Sequence, residues 1–488
     1  MGSSAADNLK LDFTTFYNVI DNSLTPTKHT RHAINPSTEE PLPEVPVSTQ
    51  EDVDDAVRAG QEAFTAWKEL SYEERAGYIT KFTDAIEANL EGLTEMLGKE
   101  AGKPIPSAGM EFALVMGHLR ETVKLRIPDE VVEDSEERTA TIRYTPLGVG
   151  VGIIPWNFPI LLAIGKLDAA LLTGNTFIWK PSPYTPYTSL KIGELGAKIF
   201  PPGVLQVLSG NEDLGPKLTA HPGVAKISFT GSTATGKKVM QSCAATLKRV
   251  TLEMGGNDAA IVCEDVDIAA VIPKVSMLSF IHSGQICMVI KRVYVHEKIY
   301  DEFLEKMAAF VKNLKVAPAG DPEAMLGPIQ NAMQFGKVKD LYNEIGRQGW
   351  QTVLGGLPDQ QNRPAEKGFF MPPTIIANPP DDSRIVVEEP FGPIIPVLKW
   401  SDEKDVIRRA NDTMMGLGAS VWSSDIERAS RMAKKLEAGS IWVNTHFELS
   451  PHMQFGGHKW SGMGVDWGVL GMKGWCNPQA FWVRKVIV

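Results

Sequence analysis

Two doubly wound, parallel-sheet α/β domains are the fold this chain predicts, and three observations predict it. At 488 residues it exceeds the roughly 250–300 residues that one hydrophobic core supports. Short β-rich segments alternate with helical ones from about residue 147, and the same alternation resumes near 260 and runs to about 460. With 43% hydrophobic residues there is apolar material for two cores.

Residues 50–125 read as helices, because Glu51–Trp67, Tyr72–Asn89 and Leu93–Lys99 carry apolar residues at three- and four-residue spacing with charges between them. From residue 138 the pattern becomes extended, Thr139 to Tyr144, and then the apolar run Val149 to Ile154 ends at Pro155 as a strand entering a loop. The first alternating unit follows: a strand at Thr176–Lys180, a helix at Thr188–Phe200, a strand at Val204–Leu208, a helix around Leu214–Ala220 and a strand at Ala225–Phe229. In such sheets ligands lie at the carboxyl ends of the strands. Strands of the second unit are expected at Ala259–Cys263, Arg292–Val295, Ile394–Leu398 and Ser440–Val443. The tail, Phe481–Val488, reads as a strand with too little chain after it for a sheet of its own; it is expected to pair with the 138–146 segment or with another subunit.

Composition narrows the function classes. A formal net charge of −10 leaves no dispersed basic excess for gripping nucleic acid. The four cysteines, Cys243, Cys263, Cys287 and Cys476, show neither CxxC pairing nor close spacing, so neither a disulfide framework nor a zinc site is expected, and a reducing, cytoplasmic compartment is. Met1–Lys10 lacks the apolar core of a secretion signal, and Leu161 to Ile164 is soon interrupted by Lys166 and Asp168, so no membrane span is expected.

Six segments can carry chemistry. In Ser279 to Cys287 a thiol follows a Gly284-Gln285 turn among apolar neighbours; a buried small hydrophobe is the bland alternative to a nucleophile. Thr230 to Lys238 opens a helix with small residues that let backbone N–H groups approach a phosphate. It nearly matches a P-loop, but Lys238 stands where Ser or Thr should hold magnesium, and it is not GxGxxG; a helix N-cap is the alternative. Glu253, between apolar residues and Gly255-Gly256, sits where desolvation would raise its pKa toward that of a useful base. Asn157, confined by Pro155, Trp156, Phe158 and Pro159, has the restricted freedom an oxyanion donor needs. Lys180 follows a strand and could reach a ribose or phosphate, and Glu389 stands beside an aromatic, Phe391, held by Gly392-Pro393.

Taken in this order, Asn157, Lys180, Gly231-Ser232, Glu253, Cys287 and Glu389-x-Phe391 resemble the motif set of the NAD(P)-dependent aldehyde dehydrogenase superfamily. The resemblance runs from Asn35-Pro36-Ser37-Thr38 to the Phe455–Gly462 segment and includes the 34-residue separation of Glu253 and Cys287. It implies a dinucleotide-binding domain from 1–125 and 147–254, a catalytic domain over 255–461, and oligomerisation strands at 126–146 and 479–488 in a homodimer or homotetramer. By the same resemblance Cys287 attacks the aldehyde carbon, the Asn157 amide holds the oxyanion, and Glu253 activates the water that releases a carboxylic acid, favouring water over coenzyme A as acceptor. Lys180 would contact the adenosine ribose, Ser232 with Gly231 the pyrophosphate, and Glu389 the nicotinamide ribose. Phe391 would pack beside the nicotinamide, with Ile153, Pro155 and Trp156 lining the cleft. Many NAD-preferring relatives have a glutamate three residues after the lysine; here it is Pro183, and Ser182 with Lys180 could accept a 2′-phosphate, so NAD with NADP tolerated is the expectation.

The resemblance assigns the substrate tunnel to Phe158, Leu161, Leu162, Gly165, Ile281, Ile286, Met288, His446, Phe447, Leu449 and Phe455. Most are apolar and none is arginine, so no guanidinium clamp for an acidic semialdehyde is evident. Gly165 stands where acetaldehyde-type relatives carry a bulky aromatic, which predicts a wider tunnel and a medium-sized hydrophobic or aromatic aldehyde. Glu448 keeps an amino-aldehyde as the alternative, against an outward-facing, solvated carboxylate. An inactive structural relative and a cofactor-free esterase are the rival functions; retention of Cys287, Glu253 and Asn157 argues against the first.

Overall fold

The alternating strands and helices close into two sheets in a computed structural model that describes residues 9–358 and 364–486. The readings made at residues 1–8 and 487–488 lie outside them. In the first sheet Arg249–Glu253, Lys226–Thr230, Val149–Ile153, Thr176–Lys180 and Leu205–Val207 run parallel in that spatial order. The chain builds outward from Val149–Ile153 in one direction, then returns to build in the other. The order therefore reverses between Val149–Ile153 and Lys226–Thr230, the switch point at whose carboxyl ends sheets of this kind bind ligands. Antiparallel strands Asn18–Ile20 and Gly462–Met463 extend opposite sides of this parallel core.

The second sheet has the order Thr352–Leu354, Thr374–Ala377, Ile394–Trp400, Ile290–His296, Asp258–Val262, Gly418–Trp422, Ser440–Val443, parallel except for its first member. Its strands are buried on both faces and rich in Val and Ile, the composition a sheet covered by helices requires. The tail pairs within its own chain: Cys476–Arg484 lies antiparallel on Arg138–Pro146, from Cys476 opposite Pro146 to Arg484 opposite Arg138. Glu130–Asp134 completes this three-stranded sheet.

The four helices of the 50–125 region are Gln50–Trp67, Tyr72–Glu87, Leu90–Ala101 and Ile105–Thr122. Thr49 with Asp52, and Ser71 with Glu74, cap the first two reciprocally, which sets where each begins. The sequence reading singled out three of the four. Ile105–Thr122 escaped because its buried face mixes Glu111 and His118 with apolar residues, blurring the stripe. After Ser440–Val443 the chain leaves the second sheet, and Gly462–Met463 rejoins the first beside Arg249–Glu253, bringing Phe455, Asp466 and Trp467 with it.

Candidate active site

The carboxyl edge of the first sheet carries Glu253, the last residue of its strand, while Asn157 lies in the loop after Val149–Ile153. Cys287 comes from the segment that enters strand Ile290–His296, and Glu389 and Phe391 from the loop entering Ile394–Trp400. The four parts are more than 230 residues apart in sequence at the extremes, and two sheet edges bring them together.

The thiol's local backbone is under tension. Helix Ile268–Phe280 ends on fully buried Phe280, and His282, Ser283 and Gly284 then take φ of 52°, 54° and 71°. Only Gly284 adopts this region without steric cost; a Cβ there would overlap the Gly392 carbonyl. The other two store on the order of 1–3 kcal/mol each and need external support. Gln285 supplies it: its side chain donates to His282 O (3.0 Å) and Pro328 O (3.1 Å) and accepts from Gln330 N (2.9 Å). The Asn157 amide donates to Gln285 O (3.0 Å), which leaves its second N–H free to donate.

Beneath Asn157, Glu111 accepts from Ile160 N (2.9 Å) and Leu161 N (3.0 Å) at the start of helix Leu161–Leu172, and pairs with buried Lys103. Lys103 lies 3.6 Å from the Phe158 ring centroid. The Pro155–Pro159 loop is thus clamped at one end by a buried charge pair.

Lys291 holds the other side. Its ammonium donates to Ile286 O (2.8 Å) and Cys287 O (2.5 Å), and lies 3.4 Å from Glu389 Oε1, which also accepts from Gly256 N (3.1 Å). Sequence reasoning passed over this lysine. The available signal was a charge inside the apolar run Met288 to Val293. Arg292, next in the strand, donates to Asn257 O (2.9 Å) and ties the glycine loop after Glu253 to the cysteine strand.

Burial opposes ionisation of both Cys287 and Glu253. Burial pushes the half-buried Cys287 thiol up to about 12; Lys291 opposes this, while Glu389, Asp258 and Glu253 add to it. Burial raises Glu253 well above the ordinary carboxylate range, Asp466 adds to the rise, and Lys166 opposes it. Neither Glu253 oxygen has a hydrogen-bond partner among the described residues. Lys166 pairs with Asp466 and donates to Ser228 Oγ (3.0 Å), a second buried charge pair that the sequence reading missed because its partners are 300 residues apart.

Around the crevice, Trp156 and Phe391 meet edge to face at 5.3 Å. Gly231 turns the chain over the Phe229 ring, and Ser232 caps helix Thr233–Ala244, accepting from Thr235 N (3.3 Å); the N-cap reading and the phosphate reading are compatible. Lys180 and Ser182 are buried, as is Ile153, while Pro155 is half-buried. Bare backbone at a helix N-terminus and a buried lysine on the first sheet's edge, with Glu389 and the Trp156–Phe391 pair facing them from the loops between the two sheets, fit a dinucleotide.

Two tunnel expectations, at His446 and Gly165, are corrected. His446 has no accessible side-chain surface; its Nδ1 lies 2.9 Å from Ser420 Oγ and its Nε2 3.5 Å from Asp258, so it braces the floor under the second sheet. Met288 is fully buried, and Phe158 packs between Lys103 and His282. Gly165 does not widen anything: the Trp467 indole occupies the space that a side chain there would need. Trp467 is held at φ 63°, ψ 164° and packs on Phe455 (5.1 Å) and His118 (4.9 Å), so the missing aromatic is supplied from the C-terminal return. Leu161, Leu162, Ile286 and Phe455 share the same apolar cluster, and the more accessible Ile281, Cys287, Phe447 and Leu449 pack on it. Glu448 is exposed and accepts from Thr445 Oγ1 (2.9 Å). Gly165→Ala is expected to lower stability by about 1–3 kcal/mol through overpacking against Trp467, read as a fall in Tm; an unchanged Tm would contradict this packing.

A thiol, an amide donor and a buried carboxyl thus meet beside residues that could hold a dinucleotide, a combination suited to oxidoreductase chemistry. The chain belongs to the aldehyde dehydrogenase family, whose description it matches over residues 24–481. Aldehyde dehydrogenase LUC3 from a Fusarium species is 39% identical over 476 residues, covering 97% of this chain and all of that one. A geranial dehydrogenase from Castellaniella defragrans is 36% identical, covering 89% and 91%. Among solved structures, the NAD+ complex of an aldehyde dehydrogenase from Bacillus cereus superposes with a TM-score of 0.93 at 32% identity, covering 96% of each chain.

Proposed function

We propose that the protein oxidises a medium-sized hydrophobic aldehyde to its carboxylic acid with a nicotinamide dinucleotide. The observation that carries this reading is the convergence of Cys287, Asn157 and an unpartnered, buried Glu253 on one crevice. Cys287 adds to the aldehyde carbon, giving up its thiol proton as the C–S bond forms, and the free N–H of Asn157 stabilises the oxyanion. The bound nicotinamide supplies the hydride acceptor. Lys180, Ser232, Glu389 and Phe391 would hold the dinucleotide, Glu389 being pre-positioned by Lys291 and Gly256. Hydride then leaves the carbon of this adduct as its C–O⁻ bond closes to a carbonyl, so that a thioester remains on Cys287 and the thiol proton is the one proton released; Glu253 then removes a proton from water as it attacks the thioester carbonyl, and the departing sulfur is reprotonated, releasing acid and free thiol.

The first sheet serves as the dinucleotide-binding unit and the second as the catalytic unit. Exposed Val131, Val132, Phe481, Trp482 and Val483 on the three-stranded sheet support a homo-oligomer built on that face. No helix among the described residues is long and apolar enough to cross a membrane. Four free cysteines suit a reducing, cytoplasmic setting.

The apolar cluster around Ile281, Leu449, Phe455 and Trp467 supports a hydrophobic substrate, as does similarity to a geranial dehydrogenase. The amino-aldehyde alternative loses ground because Glu448 is solvent-exposed and hydrogen-bonded to Thr445. Over a panel of aliphatic, aromatic, amino- and acidic aldehydes, kcat/KM is expected to peak at a neutral aldehyde of medium size. A maximum at acetaldehyde or succinic semialdehyde would refute the substrate class while leaving the chemistry intact.

A further inference from the structure

Arg31 lies on strand Thr30–Ile34 of the hairpin formed with Pro41–Pro46, far in sequence from any motif residue. Its guanidinium Nη1 donates to the Pro183 carbonyl, 152 residues away. Pro183 belongs to the turn that follows strand Thr176–Lys180, where Lys180 is 5% exposed and donates from Nζ to Pro181 O (3.1 Å). One turn therefore gathers two cations from separate segments of the chain.

Neither the buried Lys180 nor the half-buried Arg31 is paired with an acid. Among the described residues no carboxylate lies within 4.0 Å of either Arg31 or Lys180. Glu212, exposed at the start of the neighbouring helix Leu214–Ala220, is the one carboxylate whose field reaches both. Burial pulls Lys180 down to about 8, and the Arg31 charge pulls it in the same direction. Two like charges brought to one turn, Lys180 buried and Arg31 half-buried, repel each other, and their hydrogen bonds to the Pro181 and Pro183 carbonyls leave that charge uncompensated unless an anion joins them.

We infer that Arg31 and Lys180 form a cradle for the 2′-phosphate of the adenosine ribose, so that this chain selects NADP over NAD, reversing the order expected from sequence. The inference rests on the proposed reading that a nicotinamide dinucleotide lies along the carboxyl edge of the first sheet. Arg31 uses one of its five N–H groups on Pro183, leaving the others for phosphate oxygens. Ser182, whose Oγ accepts from Tyr184 N (3.2 Å), keeps its own O–H to donate. Pro183 contributes neither a carboxylate to repel the phosphate nor a side-chain acceptor to reward a bare 2′-hydroxyl.

Direct binding tests this without turnover. Isothermal titration of the full-length protein is expected to show adenosine 2′,5′-bisphosphate binding at least about tenfold tighter than 5′-AMP and than the 3′,5′-bisphosphate isomer, the scale of one charged hydrogen-bond pair. Arg31→Met should bring the first ratio to within about threefold, and Arg31→Lys should retain part of it. Pro183→Glu should invert the preference by placing a carboxylate beside Arg31. Equal binding of the 2′,5′-bisphosphate and 5′-AMP to the wild type overturns the proposal, as does an undiminished ratio in folded Arg31→Met. If Arg31→Met does not fold, the wild-type comparison and Pro183→Glu decide it. NAD+ and NADP+ binding equally would sink this inference alone, whereas neither binding would remove the cofactor reading beneath it.

Discussion

Cys287→Ser is expected to reduce aldehyde-dependent formation of reduced nicotinamide by at least about 10⁴-fold, the scale on which removal of a covalent nucleophile is felt. A serine hydroxyl in this position meets the same burial that already pushes the thiol up to about 12, starting from a far weaker acidity. The substitution changes one atom at a half-buried site, so Tm should stay within a few degrees and the loss can be read as chemistry. Lys291 bonds to backbone carbonyls of this segment, so the loop geometry is independent of the sulfur. Hydrolysis of an activated ester without dinucleotide should fall in parallel. Dehydrogenase activity above about a hundredth of wild type would remove Cys287 from the mechanism.

Glu253→Gln should separate the two halves of the reaction. One burst of reduced nicotinamide per active site is expected, followed by turnover slowed about 10²–10⁴-fold, the contribution of a general base. Intact-protein mass spectrometry should then find the acyl group on Cys287; a free thiol during slow turnover would argue against Glu253 as the base. The same residue predicts a pH dependence. Its folded pKa is raised, so the neutral form predominates at low pH and the basic form appears as pH rises, and deacylation should accelerate with pH. For stability the sign is opposite. The folded state binds this proton more tightly than the unfolded chain, so the contribution of Glu253 is lost as pH rises from the ordinary carboxylate range through the raised value. Glu253→Gln should therefore raise Tm at alkaline pH and leave it nearly unaltered in acid.

Much of the fold was readable because its signals are local. Strands such as Thr176–Lys180 and Ile394–Trp400 are short apolar runs between turn residues, and the helices Gln50–Trp67 and Tyr72–Glu87 carry clear amphipathic spacing. Ile105–Thr122 was the exception because Glu111 and His118 serve tertiary partners, the Leu161–Leu172 helix start and Asp168, which no periodicity reports. Lys291, Lys166 and Asp466 were missed for the same reason. A buried charge is recognisable by its partner, and Lys166 finds its partner 300 residues away.

Gly165 shows most plainly where local reading stops. The absence of a side chain there was visible in the sequence, and an open tunnel followed if nothing else moved in. Trp467 had moved in, carried by a C-terminal segment that leaves the second sheet to rejoin the first. His446 belongs to the same lesson: proximity in sequence to the tunnel segments did not tell that its ring turns to Ser420 and Asp258.

By itself the sequence determined the fold class and the kinds of group available for chemistry: a rare thiol, a confined amide, a carboxylate in an apolar strand and a small-residue helix start. These are short-range properties, set by side-chain chemistry and by periods of two and 3.6 residues. Tertiary structure decided which groups share a crevice, how far burial moves their protons, what fills the space at Gly165 and which cations gather beside Pro183. Those outcomes depend on packing and desolvation between segments hundreds of residues apart, and such terms exist only once the two sheets have closed on each other.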